Sequence, residues 1–316
     1  MPLQVGIFPA SGGLGTSIVQ HLVKLVPASS LTLITRKPSD LTVQLSHAGA
    51  TVRHADYEDP ASLEQVFDGI DVLMLISYAS LEIQYRVEAH RNATNAARRS
   101  GVKHIFYSSL AFAGNLGDSS VAHVMGAHLA TEQYLQALST SDPTFTYTAV
   151  REGLYAESFP IYTGWFDLQH PAEEMTIPHS GEGPGVAWAK RDELGEATAK
   201  LIASYVNHPE VFPYENRIVL LTGPRVVSLR ETAEVLGRAV GKPVRIRQIS
   251  DDEYAGMPQN GKKHWFHGID LAREWATAWE AIRRGETAVV SPLLGEILGR
   301  EPEEYETTIN GLVRGV

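Results

Sequence analysis

The densest chemical signal in the chain is a short turn made of Pro9, Ala10, Ser11, Gly12, Gly13, Leu14 and Gly15. Glycines let the backbone come close to a pyrophosphate, and a helix starting there offers free N–H groups and the positive end of its dipole. The turn lies between an apolar run, 4–8, and an amphipathic stretch, 16–25, the strand–turn–helix context that a dinucleotide-binding turn requires. A plain tight turn is the competing reading. The second apolar run ends in Thr35-Arg36-Lys37 and carries no acid. A site for NAD commonly has a carboxylate here for the ribose hydroxyls; two cations suit a 2′-phosphate instead. Arg36 is therefore read as selecting NADP, against the alternative of a solvated basic turn. Asp56, after the third run, is placed to meet an adenine amino group, or is an ordinary loop acid.

These residues need a scaffold, and the pattern of the first half supplies one. Apolar runs at 4–8, 31–35, 51–54, 71–77, 103–109 and 145–151 read as strands. Helical periodicity separates them at 16–25, 82–100 and 121–138, and a further helix is expected over 59–67, with Asp59 as N-cap and Pro60 at its first position. The run 71–77 is almost wholly apolar, as a strand covered on both faces should be. Such alternation predicts an α/β fold, a Rossmann doubly wound parallel sheet with right-handed connections. All carboxyl ends of the strands then lie along one ligand-binding edge. Ser77, Ser108 and Ser109 end the fourth and fifth runs there, with Tyr78 beside them toward adenine or ribose. Capping the following turns is the alternative use of the serines.

After Arg151 the pattern changes. Residues 153–188 are rich in aromatics, glycine and proline; helices are expected at 192–206, 228–240 (with Ser228 and Glu231 as a capping box) and 273–284, and strands at 217–221 and 244–249. Neither repeats nor a low-complexity linker occur. The domain reading is a Rossmann unit over 1–152, rejoined by 189–223, and a smaller α/β substrate lobe built from 153–188 and 224–316.

Composition removes several classes. The chain has 316 residues, 43% of them apolar, so it can bury a large core. With Lys plus Arg at 27 against Asp plus Glu at 37, a net charge of −10 lacks the footprint of a nucleic-acid binder. Cysteine is absent, which excludes disulfides, thiol catalysis and Cys-based zinc sites. There are 12 histidines, yet no H-E-x-x-H, and His264 with His267 at i, i+3 has no third ligand beside it, so no metal is expected. The absence of G-x-S-x-G argues against a hydrolase elbow. No apolar run approaches roughly 18 residues, and the N-terminus leads straight into the glycine turn; a cytoplasmic protein without a membrane span is expected. The sequon Asn92-Ala93-Thr94 is read as incidental.

The ordered series of motifs resembles the NmrA-like family, an atypical branch of the short-chain dehydrogenase/reductases, and within it the quinone oxidoreductase type and the NmrA-like oxidoreductases of fungal aromatic-polyketide pathways. The series comprises the glycine turn, Thr35-Arg36-Lys37, Asp56-Tyr57-Glu58-Asp59, Leu75-Ile76-Ser77, His90-Arg91-Asn92 with Asn95-Ala96-Ala97, Gly101-Val102-Lys103, Tyr107-Ser108-Ser109-Leu110, His128 with Glu132, and Arg151-Glu152-Gly153-Leu154-Tyr155-Ala156-Glu157. One departure is informative: Pro9 stands where the family's Gly-x-x-Gly-x-x-Gly begins, and proline has a fixed φ and no N–H.

The resemblance implies NADPH as cofactor, lying along Ser77, Ser108 and Ser109. It sets His128 at the position of the usual lysine and Val124 at that of the usual tyrosine acid. His128 would then bond the nicotinamide ribose or donate a proton near neutral pH; an i, i+4 pair with Glu132 is the structural alternative. The family layout also implies that Tyr155, Phe159, Tyr162, Trp165 and Phe166 cover the nicotinamide and stack on a flat substrate. A missing tyrosine acid is consistent with a quinone acceptor, whose reduction leaves a well-stabilised phenolate. The expected activity is reduction of a quinone or related aromatic polyketide by a monomer or homodimer. The alternatives are a dinucleotide-binding redox sensor and a non-redox isomerase or ring-opening enzyme.

Overall fold

Strands form where the apolar runs lie, because chain buried on both faces of a sheet has no polar side to vary. The computed structural model describes residues 2–258, 265–266 and 269–315; His264 and His267 lie outside the described residues. In chain order the first half contains β1 (Val5–Phe8), α1 (Gly13–Leu22), β2 (Leu31–Thr35), α2 (Asp40–His47), β3 (Thr51–His54), β4 (Val72–Ile76), α3 (Ile83–Arg99), β5 (His104–Leu110), α4 (Met125–Ser141) and β6 (Thr146–Glu152). Then come α5 (Phe159–Tyr162), β7 (Glu174–Ile177), α6 (Arg191–Asn207), β8 (Arg217–Leu221), α7 (Leu229–Val240), β9 (Arg245–Gln248), α8 (Asp251–Ala255), α9 (Leu271–Arg283), α10 (Leu293–Leu298) and α11 (Tyr305–Arg314).

Seven strands form one parallel sheet in the order β3-β2-β1-β4-β5-β6-β8. The chain reverses direction across the sheet between β1 and β4, and a crevice opens at such a switch point. One face is covered by α1, α6 and α10, whose Leu14, Ile18, Leu194, Ile202 and Leu294 join Ile7, Leu33 and Val150 in the core. The other is covered by α3 and α4 with the 57–70 segment, where Ala93, Ala97, Leu135, Tyr57 and Phe67 meet Leu73, Ile105 and Tyr107. A third core, containing Tyr162, Trp188, Leu236, Trp279 and Ile309, is built mostly from the second half of the chain, where β7 and β9 form a parallel pair.

Several expectations change. The helix expected over 59–67 is only a 3₁₀ turn, Pro60–Leu63, although Asp59 does cap it by accepting from Ala61 N–H at 3.1 Å. Left-handed backbone at Gln65 (φ 61°) and Gly69 (φ 75°) breaks any continuation. The first helix starts at Gly13, so the glycines form its first turn, and it ends at Leu22. Helix α2, capped by Ser39, and strand β7 were not anticipated. The C-terminal segment, expected wholly in a separate lobe, returns to the large sheet: Leu294 and Leu298 of α10 pack with α6 and β8, and Lys200 Nζ donates to Leu298 O.

Candidate active site

At the carboxyl edge of β1, Gly12 is the N-cap of α1 with φ 84°, and no side chain caps the helix, whose first turn has no acidic residue. The first N–H groups are left to an external acceptor. The other two glycines serve close approach. A Cβ on Gly15 would lie 2.3 Å from Pro9 O, and one on Gly13 would lie 2.8 Å from Arg191 Nη1. Arg191 opens α6, and its backbone N–H donates to the Glu157 carboxylate at 3.1 Å. Its side chain brings a guanidinium to the turn that sequence reasoning did not foresee. Ser11 Oγ lies 2.9 Å from Thr35 Oγ1, tying the turn to β2. Ala10 N–H donates to Ile34 O at 2.7 Å, and the peptide before Pro9 is cis.

At the end of β2, Arg36 is largely exposed and lies 3.7 Å from Asp56, so the two residues separately expected to read phosphate and adenine are paired with each other. Tyr78 donates its hydroxyl to Glu58 Oε1 at 2.5 Å and packs against Tyr57. Burial pushes its phenol pKa well up. A helix start without a side-chain cap, glycine cradles, the Arg191 guanidinium beside Gly13 and Arg36 together form a donor set suited to a phosphorylated dinucleotide.

Beyond β4, β5 and β6 lies a cleft of about 310 Å³, lined among others by Ser77, Arg86, Ser108, Ser109, Val124, His128, Tyr155 and Tyr162. A buried polar network forms one wall, and its directions follow from donor arithmetic. Arginine can only donate. Arg86 Nη2 lies 2.9 Å from His128 Nε2, so that nitrogen is the acceptor and the His128 proton is on Nδ1, where it donates to Tyr107 OH at 3.0 Å. Tyr78 N–H donates to His90 Nε2 at 2.9 Å, so the His90 proton is likewise on Nδ1, 2.8 Å from Thr131 Oγ1. Thr131 passes the chain on to Ala127 O at 2.8 Å. Ser77 Oγ accepts from Arg86 Nε and Nη2 at 3.1 and 2.6 Å.

Burial and the Arg86 charge hold both histidines well below their usual range, so both are neutral. Burial pushes the Tyr107 phenol up to about 12, so it too is neutral. This corrects the reading of His128 as an acid: its accepting nitrogen is occupied by Arg86, its one proton is bonded to Tyr107, and its partner is not Glu132. Glu132 instead makes a buried bidentate pair with Arg151, at 2.9 and 2.7 Å, and accepts from Ser109 Oγ at 2.5 Å. Ser108 Oγ accepts from Ser77 N–H at 2.9 Å. The serines therefore line the edge with much of their bonding capacity already used.

The aromatic cover divides. Tyr155 and Tyr162 line the cleft, and neither hydroxyl has a hydrogen-bond partner among the described residues. Burial pushes both phenols well above the usual value. Phe159 and Phe166 are instead core residues of the smaller lobe, and Trp165 is 45% exposed on its outer side. Their expected contact with a substrate is corrected accordingly: from Tyr155 onward the chain turns through 3₁₀ and α geometry, which sends successive aromatics to opposite sides.

Arg86 was missed. Its signal was available, because in α3 it shares the buried face with Val87, His90, Ala93 and Ala97, where a lone arginine is conspicuous. Among the described residues no group of three His, Asp or Glu could hold a metal ion, and no helix is long and apolar enough to cross a membrane.

Comparison with known proteins agrees with this geometry. The chain is 33% identical to an NmrA-like family domain-containing oxidoreductase, flvB, of Aspergillus flavus, over 93% of this chain and 89% of that protein. It is 34% identical to quinone oxidoreductase 2 of Escherichia coli over 79% of each chain. The crystal structure of the E. coli NADPH-dependent quinone oxidoreductase complexed with NADPH superposes with a TM-score of 0.76 at 28% identity, covering 98% of this chain and 99% of that one. Triphenylmethane reductase of Citrobacter sp., complexed with NADP(H), gives 0.75 at 27% identity, with the same coverage. The model of the NmrA-like family matches residues 3–281, and with the glycine turn, the parallel sheet and the cleft at its carboxyl edge in place, the chain belongs to the NmrA-like family.

Proposed function

We propose that this protein is an NADPH-dependent oxidoreductase that reduces a quinone or a related flat aromatic compound, including aromatic polyketides. The observation that carries the proposal is the cleft at the carboxyl ends of β4, β5 and β6, where Ser77, Arg86 and Ser108 stand beside Tyr155 and Tyr162. The N–H groups of the 12–15 turn and Arg191 would hold the pyrophosphate, and Arg36, released from Asp56, the 2′-phosphate. Ser77 and Ser108 would border the nicotinamide half. When bound, the reduced nicotinamide supplies hydride.

The chain's own residues do the rest. Tyr155 and Tyr162 offer flat surfaces for an aromatic ring and exclude water from one side of it. His128 fixes the guanidinium of Arg86 by accepting from it, a positioning role instead of proton donation. A reductase without a tyrosine acid on α4 suits acceptors whose reduction leaves a stabilised phenolate. Segments 153–188 and most of 224–316 serve as the substrate lobe.

Titration of the purified protein with NADPH, NADP⁺ and NADH, followed by turnover with naphthoquinones, tests this reading. NADPH is expected to bind much more tightly than NADH. Arg36→Ala should weaken NADPH roughly ten- to hundredfold and leave NADH unchanged, in keeping with the loss of a charged hydrogen bond. Absence of binding by all three overturns the proposal. Strong preference for one redox state without turnover identifies a sensor instead.

A further inference from the structure

Arg86 is 8% exposed and lies in the wall of the cleft. No carboxylate among the described residues is paired with it. Its partners are all neutral: Ser77 Oγ, His128 Nε2 and, at 3.3 Å, Ser80 O. A guanidinium has five N–H donors. Nε uses one, Nη2 uses both of its own on Ser77 and His128, and Nη1 uses one on Ser80. One Nη1–H has no acceptor among the described residues. Burying a cation without a counter-charge is costly, and a structure that does so gains most when an anion arrives at the same place. The surrounding groups cannot supply that anion, because the histidines and Tyr107 are held neutral.

We propose that Arg86 is the residue that takes up the negative charge developing on the acceptor oxygen, and that the cleft consequently prefers ring compounds carrying an ionised oxygen. This rests on the reductase reading given above. Hydride transfer breaks the C4–H bond of the reduced nicotinamide with both electrons and oxidises it. The quinone gains that hydrogen and the electron pair and becomes the hydroquinone monoanion. Its charged oxygen accepts from Arg86, and one proton from water completes the hydroquinone on release. His128, locked to Tyr107, holds the guanidinium in place, so reorganisation on charge formation is small.

The test compares two probes of nearly equal shape, 2-hydroxy-1,4-naphthoquinone, which is ionised at neutral pH, and neutral 1,4-naphthoquinone. Binding is read by quenching of intrinsic fluorescence with NADP⁺ present. The wild-type protein is expected to favour the anion roughly ten- to hundredfold. Arg86→Gln should abolish that preference, with NADPH affinity and thermal midpoint retained. Across a quinone series, kcat of Arg86→Gln should fall most for acceptors whose hydroquinones are the weakest acids, and Arg86→Lys should recover part of the loss. Equal affinity of the wild-type protein for the two probes overturns the proposal, whether or not any variant folds. A uniform fall in kcat across the series also overturns it and marks Arg86 as a structural group. If the wild-type protein favours the anion yet neither binds NADPH nor reduces quinones, the reductase reading fails and the anion site stands.

Discussion

At the scale of single residues, the site is decided by who can donate to whom. Arginine has no acceptor and a backbone N–H has none either, so Arg86 and Tyr78 N–H between them dictate both histidine tautomers. The consequence for pH is specific. Both histidines have their pKa values pushed below the ordinary 6.5, first by burial and then by the Arg86 charge. The kcat profile is therefore expected to be flat from pH 6 to 8, with no limb from His128. A limb near 6.5 that disappears in His128→Gln would restore the histidine as an acid. Arg36 illustrates the opposite case, a residue whose proposed role needs only that it stand at the end of a particular strand, which the sequence alone places. Arg86 was not legible in that way, since its stripe position on α3 marks it as buried but does not say what it faces.

At the scale of elements, strands and helix starts were read correctly where the signal is local. Runs 31–35, 51–54 and 217–221 match β2, β3 and β8, and Ser228 caps α7 by accepting from Glu231 N–H at 3.0 Å, although only this half of the expected capping box forms, the Glu231 carboxylate being paired with Arg225 at 2.8 Å. The 59–67 helix failed because its backbone must turn back under the sheet, and left-handed residues end it. Close approach dominates at the first turn of α1. Gly15→Ala would put a methyl 2.3 Å from Pro9 O, and backbone cannot yield as a side chain can. We expect a loss of about 1–3 kcal/mol by chemical denaturation, together with weakened NADPH binding as α1 is pushed from the turn. Unchanged stability and affinity would show that α1 can slide without cost.

At the scale of the whole molecule, burial of titratable groups sets the response to pH. His104 is lowered to about 3 and His179 to about 4, chiefly by burial, and His90 and His128 are lowered as well. All four are neutral when folded and regain ordinary values on unfolding. Stability is therefore full above pH 6.5 for these groups and is lost as pH falls toward the folded values, with a limiting slope of about 1.4 kcal/mol per unit for each. Glu152 acts in the opposite sense. Burial raises it to about 8, Thr198 bonds one of its oxygens, and the other has no partner among the described residues. Its contribution is full below the unfolded value near 4.5 and is lost as pH rises toward 8. Denaturation free energies should thus peak near pH 6.5, fall steeply on the acid side and gently up to pH 8. Glu152→Gln should remove the gentle limb; if that limb persists, another group carries it. What the sequence determined alone was the parallel α/β order and the place of the glycine turn between β1 and α1, because each depends on neighbours within a few residues. What only the tertiary structure decided was the meeting of Arg86 from α3, His128 from α4 and Tyr107 from β5, and which aromatics reach the cleft. Those contacts depend on which elements the sheet order sets side by side, and burial periodicity carries no information about a partner on another element.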